Sequence, residues 1–125
     1  MATWQEIGIE NYQAGRQLLD AGRYRSSVSR FYYAAFSLLT HELSEAGADF
    51  GDDQETPNHK GLPRLIRLHP TLPAKQKADA LAIIRRLYSA RISADYQRRT
   101  TDESITRSIM RDTARLFQHF GVEHD

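Results

Sequence analysis

The stretch from residue 24 to residue 46 constrains this chain most. Val28, Phe31, Tyr32, Ala35, Leu39 and Leu43 return there every three or four positions. That period puts side chains on one face of an α-helix, and a strand would need strict alternation instead. Most of the remaining sequence follows the same period. Thr3-Trp4-Gln5-Glu6 has the Thr/Glu spacing of a capping box, and the helix it opens runs to Ala21-Gly22. Gly47 stops the second helix, which spans about Tyr24 to Ala46. Residues 48–57, ADFGDDQETP, lack any period and read as an acidic loop. A short third helix is expected from about Asn58 to Leu68, and Pro70 and Pro73 then bracket a turn. The fourth helix runs from about Ala74 to Gln97. Thr100-Thr101-Asp102 supplies a break and a cap, and the fifth helix runs from about Glu103 to Phe120, where Gly121 ends it. The expected fold is all-α, an up-and-down antiparallel bundle of four longer helices plus one short helix, because short connections favour antiparallel neighbours. At 125 residues the chain suits one domain, residues 1–125, with a core large enough to stand without staples.

Several function classes are disfavoured at once. There is no cysteine, hence no disulfide framework and no thiolate zinc site. No His-x(3)-His pair, Gly-rich phosphate loop or Ser/His/Asp spacing occurs, so neither a metal nor a cofactor is expected. Apolar runs are too short to span a membrane, and MATWQEIGIE has neither the basic nor the apolar region of a signal peptide. A cytoplasmic location is the expectation. Net charge is +1, but it is unevenly spread. Residues 1–57 carry 4 Lys/Arg against 9 Asp/Glu, whereas residues 58–118 carry 13 against 5. A basic second half suits a phosphate-bearing partner, although arginines also simply solvate helix faces.

The most informative anomaly is RISADYQRR, residues 91–99. On a helical wheel of about 100° per residue, Leu81, Ile84, Leu87, Tyr88 and Ile92 share one broad face. Arg91 lies seven after Ile84 and three after Tyr88, and Asp95 follows Arg91 by four. Both charges therefore fall within the apolar stripe. An unpaired buried charge is costly, so the two either partner each other, as i,i+4 spacing allows, or line a cleft. In the first case the pair fixes helix packing. In the second, Arg91 points its guanidinium at a phosphate.

Three stretches carry a family likeness: AGRYRSSVSRFYYAAFSLLTHEL (21–43), NHKG (58–61) and RISADY (91–96). In that order they resemble the HEPN domains, most closely the small stand-alone prokaryotic members, over roughly residues 12–120. The resemblance implies a bundle that commonly forms a homodimer. Many such proteins are metal-independent ribonucleases of toxin–antitoxin or defence-type systems and pair with a small nucleotidyltransferase-like antitoxin. Their site, Arg-x(4–6)-His, meets across the dimer seam. Arg91 matches the arginine of that motif, but Tyr96, Gln97 and Arg98 stand where the histidine belongs.

That departure matters chemically. Cleavage through an RNA 2′-hydroxyl needs a base and an acid working near neutral pH, which histidine provides. A phenol such as that of Tyr96 ordinarily titrates near pH ~10, and a carboxylate beside a guanidinium, as Asp95 would be, is a weakened base. Arg91, Asp95 and Tyr96 are nonetheless the candidate catalytic set, and the sequence leaves enzymatic activity open. Arg64 and His69 also spell Arg-x(4)-His, but they fall in the short third helix just before Pro70, where a chance match is the simpler account.

Candidates for RNA or nucleotide phosphate are His59, Lys60, Arg98 and Arg99. His59 and Lys60 sit at the HKG element, where the alternative is a capping role for His59. Arg98 and Arg99 suit a helix C-terminus, which is itself a structural explanation. Phe31, Tyr32, Tyr33 and Phe36 form an aromatic cluster whose spacing favours core or dimer seam over base stacking. Arg107, Arg111 and Arg115 step by four along the fifth helix, opposite Ile105, Ile109, Leu116 and Phe120, and read as a solvated face. Two functions follow: an RNA- or nucleotide-binding HEPN protein with non-standard or absent ribonuclease activity, or a catalytically inactive dimeric module that docks a nucleotidyltransferase-like partner.

Overall fold

The computed structural model describes residues 1–97 and 100–125. It is an all-helical bundle: α1 (Trp4–Asp20), α2 (Tyr24–Glu45), the short α3 (Leu62–Arg67), α4 (Ala74–Tyr96) and α5 (Glu103–His119), with a single 3-10 turn (His59–Gly61) leading into α3. The ends obey local chemistry. Thr3 Oγ1 accepts the Glu6 amide at 3.1 Å, and the Glu6 carboxylate accepts the Thr3 amide at 3.4 Å, which completes the capping box. Gly22 adopts φ +75°, a left-handed conformation that suits glycine. This lets the Arg23 amide donate to the Leu18 carbonyl at 2.8 Å and close α1. Gly47 ends α2 in the same manner. Asp102 caps α5 by accepting the Ile105 amide at 2.8 Å.

α2 is the centre of the bundle and packs on α1, α4 and α5. Every residue that marks its period, from Val28 to Leu43, is buried, and Phe31, Leu38, Leu39, Ile83, Ile84, Leu87, Leu116 and Phe117 are sealed from solvent. The α1–α2 crossing is close because Gly15 has no side chain. A Cβ there would lie 2.7 Å from the Phe31 ring, and the buried Ser27 hydroxyl donates to the Gly15 carbonyl at 2.7 Å.

Two expectations need correction. The third helix does not begin at Asn58. Asn58 instead caps the 3-10 turn, its side-chain oxygen accepting the Gly61 amide at 2.7 Å, and regular helix starts only at Leu62, with Pro63 in its first turn. On α5, Ile105 faces solvent at 45% exposure, while Thr106 and Thr113 are buried. Both threonines return their hydroxyls to a carbonyl four residues back, at 2.8 Å, so each presents mainly its methyl group to the core.

Candidate functional site: Arg91 among three tyrosines and a histidine

Two helices and one turn converge on Arg91. α2 contributes Ser29, Tyr32 and Tyr33, which its period places on one face, and α4 contributes Tyr88, Arg91 and Asp95 from the opposing face. The 3-10 turn inserts His59 between them. Its ring stacks on Tyr88 with centroids 3.6 Å apart and planes 14° from parallel. Its Nδ1 lies 3.3 Å from the Tyr32 hydroxyl.

The Arg91 guanidinium carbon sits 5.2 Å from the ring centroids of both Tyr32 and Tyr33, within cation–π range. Its side chain is 19% exposed. Asp95 Oδ2 lies 3.3 Å from Arg91 Nε, close enough for an ion pair. Yet among the described residues that buried Nε finds no hydrogen-bond partner, because its N–H is not aimed at the carboxylate. Asp95 is held instead from α2, where the Ser29 hydroxyl donates to Oδ1 at 2.5 Å. The aromatic faces thus position the cation more firmly than the carboxylate does.

Burial sets the protonation of its neighbours. It pushes the Tyr32 hydroxyl up to about 12, with the Arg91 charge opposing the rise but losing to it. Burial first, and then the Arg91 charge, push His59 below the ordinary imidazole value. Near neutral pH the phenol keeps its proton and the imidazole is uncharged.

The end of α4 is secured from outside. It has no basic residue in its last turn. Arg25, from the start of α2, donates Nη1 to the carbonyls of Ala94 at 2.7 Å and Gln97 at 2.8 Å. A shallow groove of about 490 Å³, lined by Leu18, Arg25, Ser26, Ser29, Arg30 and Asp95, runs beside this junction.

The other candidates are placed as follows. Lys60 is exposed next to His59. Tyr96 closes α4 at 72% exposure. Arg98 and Arg99 lie outside the described residues. Arg64 and His69 line a separate cavity of about 230 Å³ between the end of α2 and α3. His69 serves the turn there, its Nδ1 accepting the amides of Thr71 at 3.3 Å and Leu72 at 3.1 Å. Much of the basic excess is matched by carboxylates. Arg115 binds Asp79 through two nitrogens, at 2.7 and 3.0 Å, while Arg86 pairs with Asp112 and Arg107 with Glu103. The arginine row on α5 is therefore partly a lattice of ion pairs rather than a free cationic stripe.

Sequence reading found the Arg91–Asp95 pair but not its surroundings. Tyr88 stands one turn before Arg91, and that spacing was the available signal. The return of His59 across the acidic loop is tertiary and had none. Among the described residues, no helix is long and apolar enough to cross a membrane. Neither the curated proteins nor the solved structures gave a match to this chain. The family model described as the HEPN domain matches residues 1–123, and the chain belongs to that family.

Proposed function

We propose that this HEPN protein binds RNA or nucleotide phosphate through Arg91 at a groove on a homodimer seam, as one component of a toxin–antitoxin or defence-type system. The observation that carries this reading is the guanidinium itself. It is half-buried, cradled by Tyr32 and Tyr33, and its contact to Asp95 is out of line for a hydrogen bond. A cation held by ring faces keeps donors available for an anion. Lys60, Arg98 and Arg99 would add charge along the backbone, and the exposed Tyr33 and Tyr96 offer stacking surfaces. Ribonuclease activity is absent or non-standard, since no histidine follows Arg91 at the family spacing.

A salt titration of single-stranded RNA binding tests this. Each phosphate contacted predicts a log–log slope of about −0.7, so two or three contacts give a clear fall in affinity with salt. Arg91→Ala should abolish the binding. No binding at low salt would remove the reading.

A second reading has its own support. Ser29 holds Asp95 and Arg25 holds the end of α4, so the α2–α4 junction is complete without a ligand. In that case the protein is an inactive dimeric module that docks a nucleotidyltransferase-like partner. Partner binding that survives Arg91→Ala, together with no RNA binding, is the result it predicts.

A further inference from the structure

His59 has two ring nitrogens in different situations. Nδ1 faces the Tyr32 hydroxyl at 3.3 Å. That phenol is 3% exposed, and its proton has no other acceptor among the described residues. The phenol therefore donates, Nδ1 accepts, and the neutral imidazole must carry its proton on Nε2. Among the described residues Nε2 has no hydrogen-bond partner, and it is not sealed from solvent. It opens to solvent as a fixed donor. Stacking on Tyr88 and the Asn58 cap under the turn hold the ring in place.

We infer that Tyr32 locks His59 as a neutral Nε2–H donor, and that His59 and Arg91 together hold a phosphodiester of single-stranded RNA without cleaving it. An imidazole in this state can donate to a phosphate oxygen. It is a poor base for a 2′-hydroxyl, because its one lone pair accepts from Tyr32 and the other position already bears hydrogen. Charge points to a diester rather than a terminal phosphate. Among the described residues the inner site has one cation, Arg91, beside Asp95, and one neutral donor, which suits a single negative charge better than the nearly two of a phosphomonoester. The groups that face His59 are Tyr32 from α2, Tyr88 and Arg91 from α4, and Lys60 beside it on its own turn. Removing the Tyr32 hydroxyl takes the donor away from Nδ1 and so raises the His59 midpoint relative to the wild type, while burial and the Arg91 charge still hold it below the ordinary imidazole value.

This inference rests on the RNA-binding reading but is tested apart from it. Nitrogen-15 NMR of the imidazoles, with His59→Gln to assign His59, reads the tautomer in the absence of RNA. The wild type should show Nδ1 as the acceptor nitrogen and Nε2 protonated. Tyr32→Phe should give mixed tautomers and a higher His59 titration midpoint. In parallel, an oligoribonucleotide lacking terminal phosphates is compared with inorganic phosphate and with AMP. Wild-type affinity for the oligonucleotide should vary less between pH 6 and 8 than that of Tyr32→Phe, which should bind more tightly at the acid end, and the wild type should leave the RNA intact. His59→Gln, which loses one neutral hydrogen bond, should weaken binding roughly three- to tenfold. A protonated Nδ1 in the wild type, or a Tyr32→Phe tautomer unchanged from it, overturns the lock. Tighter binding of AMP or phosphate than of the oligonucleotide overturns the diester assignment, and cleavage by the wild type overturns the non-cleaving role. If the tautomer is as stated and no RNA binds, the binding reading fails while the lock stands.

Discussion

A double-mutant cycle on Arg91 and Asp95 separates a ligand-directed guanidinium from a structural ion pair. Arg91→Ala removes two cation–π contacts and one ion-pair contact. At about 0.5–1 kcal/mol for each ring and about 0.2–0.5 for a partly exposed i,i+4 pair, the cost is about 1.2–2.5 kcal/mol. Asp95→Ala removes that pair and the bond from Ser29, whose charged acceptor makes it worth about 1.5 kcal/mol or more. Only the Arg91–Asp95 interaction is shared between the two changes. Because Nε makes no hydrogen bond to the carboxylate and the side chains retain 19% and 31% of their exposure, the coupling should be below about 1 kcal/mol. Urea unfolding of the wild type, both single variants and the double variant measures it directly. A coupling above about 2 kcal/mol would mean that the two charges are locked to each other as a packing device, and the case for a guanidinium awaiting a phosphate would collapse.

Three further outcomes follow from the fold. Gly15→Ala puts a methyl group 2.7 Å from a Phe31 ring that is itself sealed and packed on Tyr12. Overpacking of about 1–3 kcal/mol outweighs about 1 kcal/mol of gained helix propensity, so the melting temperature should fall. Phe117→Ala, which empties a fully buried site, should cost about 3–5 kcal/mol in chemical denaturation. Asp79 is held down to about 2 from its ordinary 3.8, first by the Arg115 hydrogen bonds and then by His119, with burial opposing. A carboxylate depressed in the folded state contributes stability above its ordinary value and loses it as pH falls from about 4 towards about 2. Melting curves across that window should therefore fall less steeply for Asp79→Asn than for the wild type.

The helices were readable because their signals are local. A capping box at Thr3, glycines at 22, 47 and 121, and an aspartate at 102 mark ends through contacts within four or five residues. The buried face of α5 departs from its hydropathy pattern at Ile105 because hydropathy treats threonine as polar. Thr106 and Thr113 satisfy their hydroxyls on their own helix and then pack like valine. At the candidate site the line divides in the same way. The Arg91–Asp95 spacing lies within one helix and was visible. The Tyr32–His59–Tyr88 cluster depends on how an acidic loop returns the chain to α2 and α4, and no local period encodes that. Nor did the sequence reveal that Arg25 serves the far end of α4, 69 residues away at Ala94.

That distant clasp has a practical meaning. The final turn of α4 brings no cationic cap of its own and borrows one from the opening turn of α2, while Ser29, one turn further on, steadies Asp95. The last turn of α4, and Asp95 with it, is thus fixed from residues 25–29, while the rings of Tyr32 and Tyr33 hold the guanidinium itself. Anyone wishing to shift Asp95 relative to the guanidinium without touching either has two remote handles there, Arg25 and Ser29.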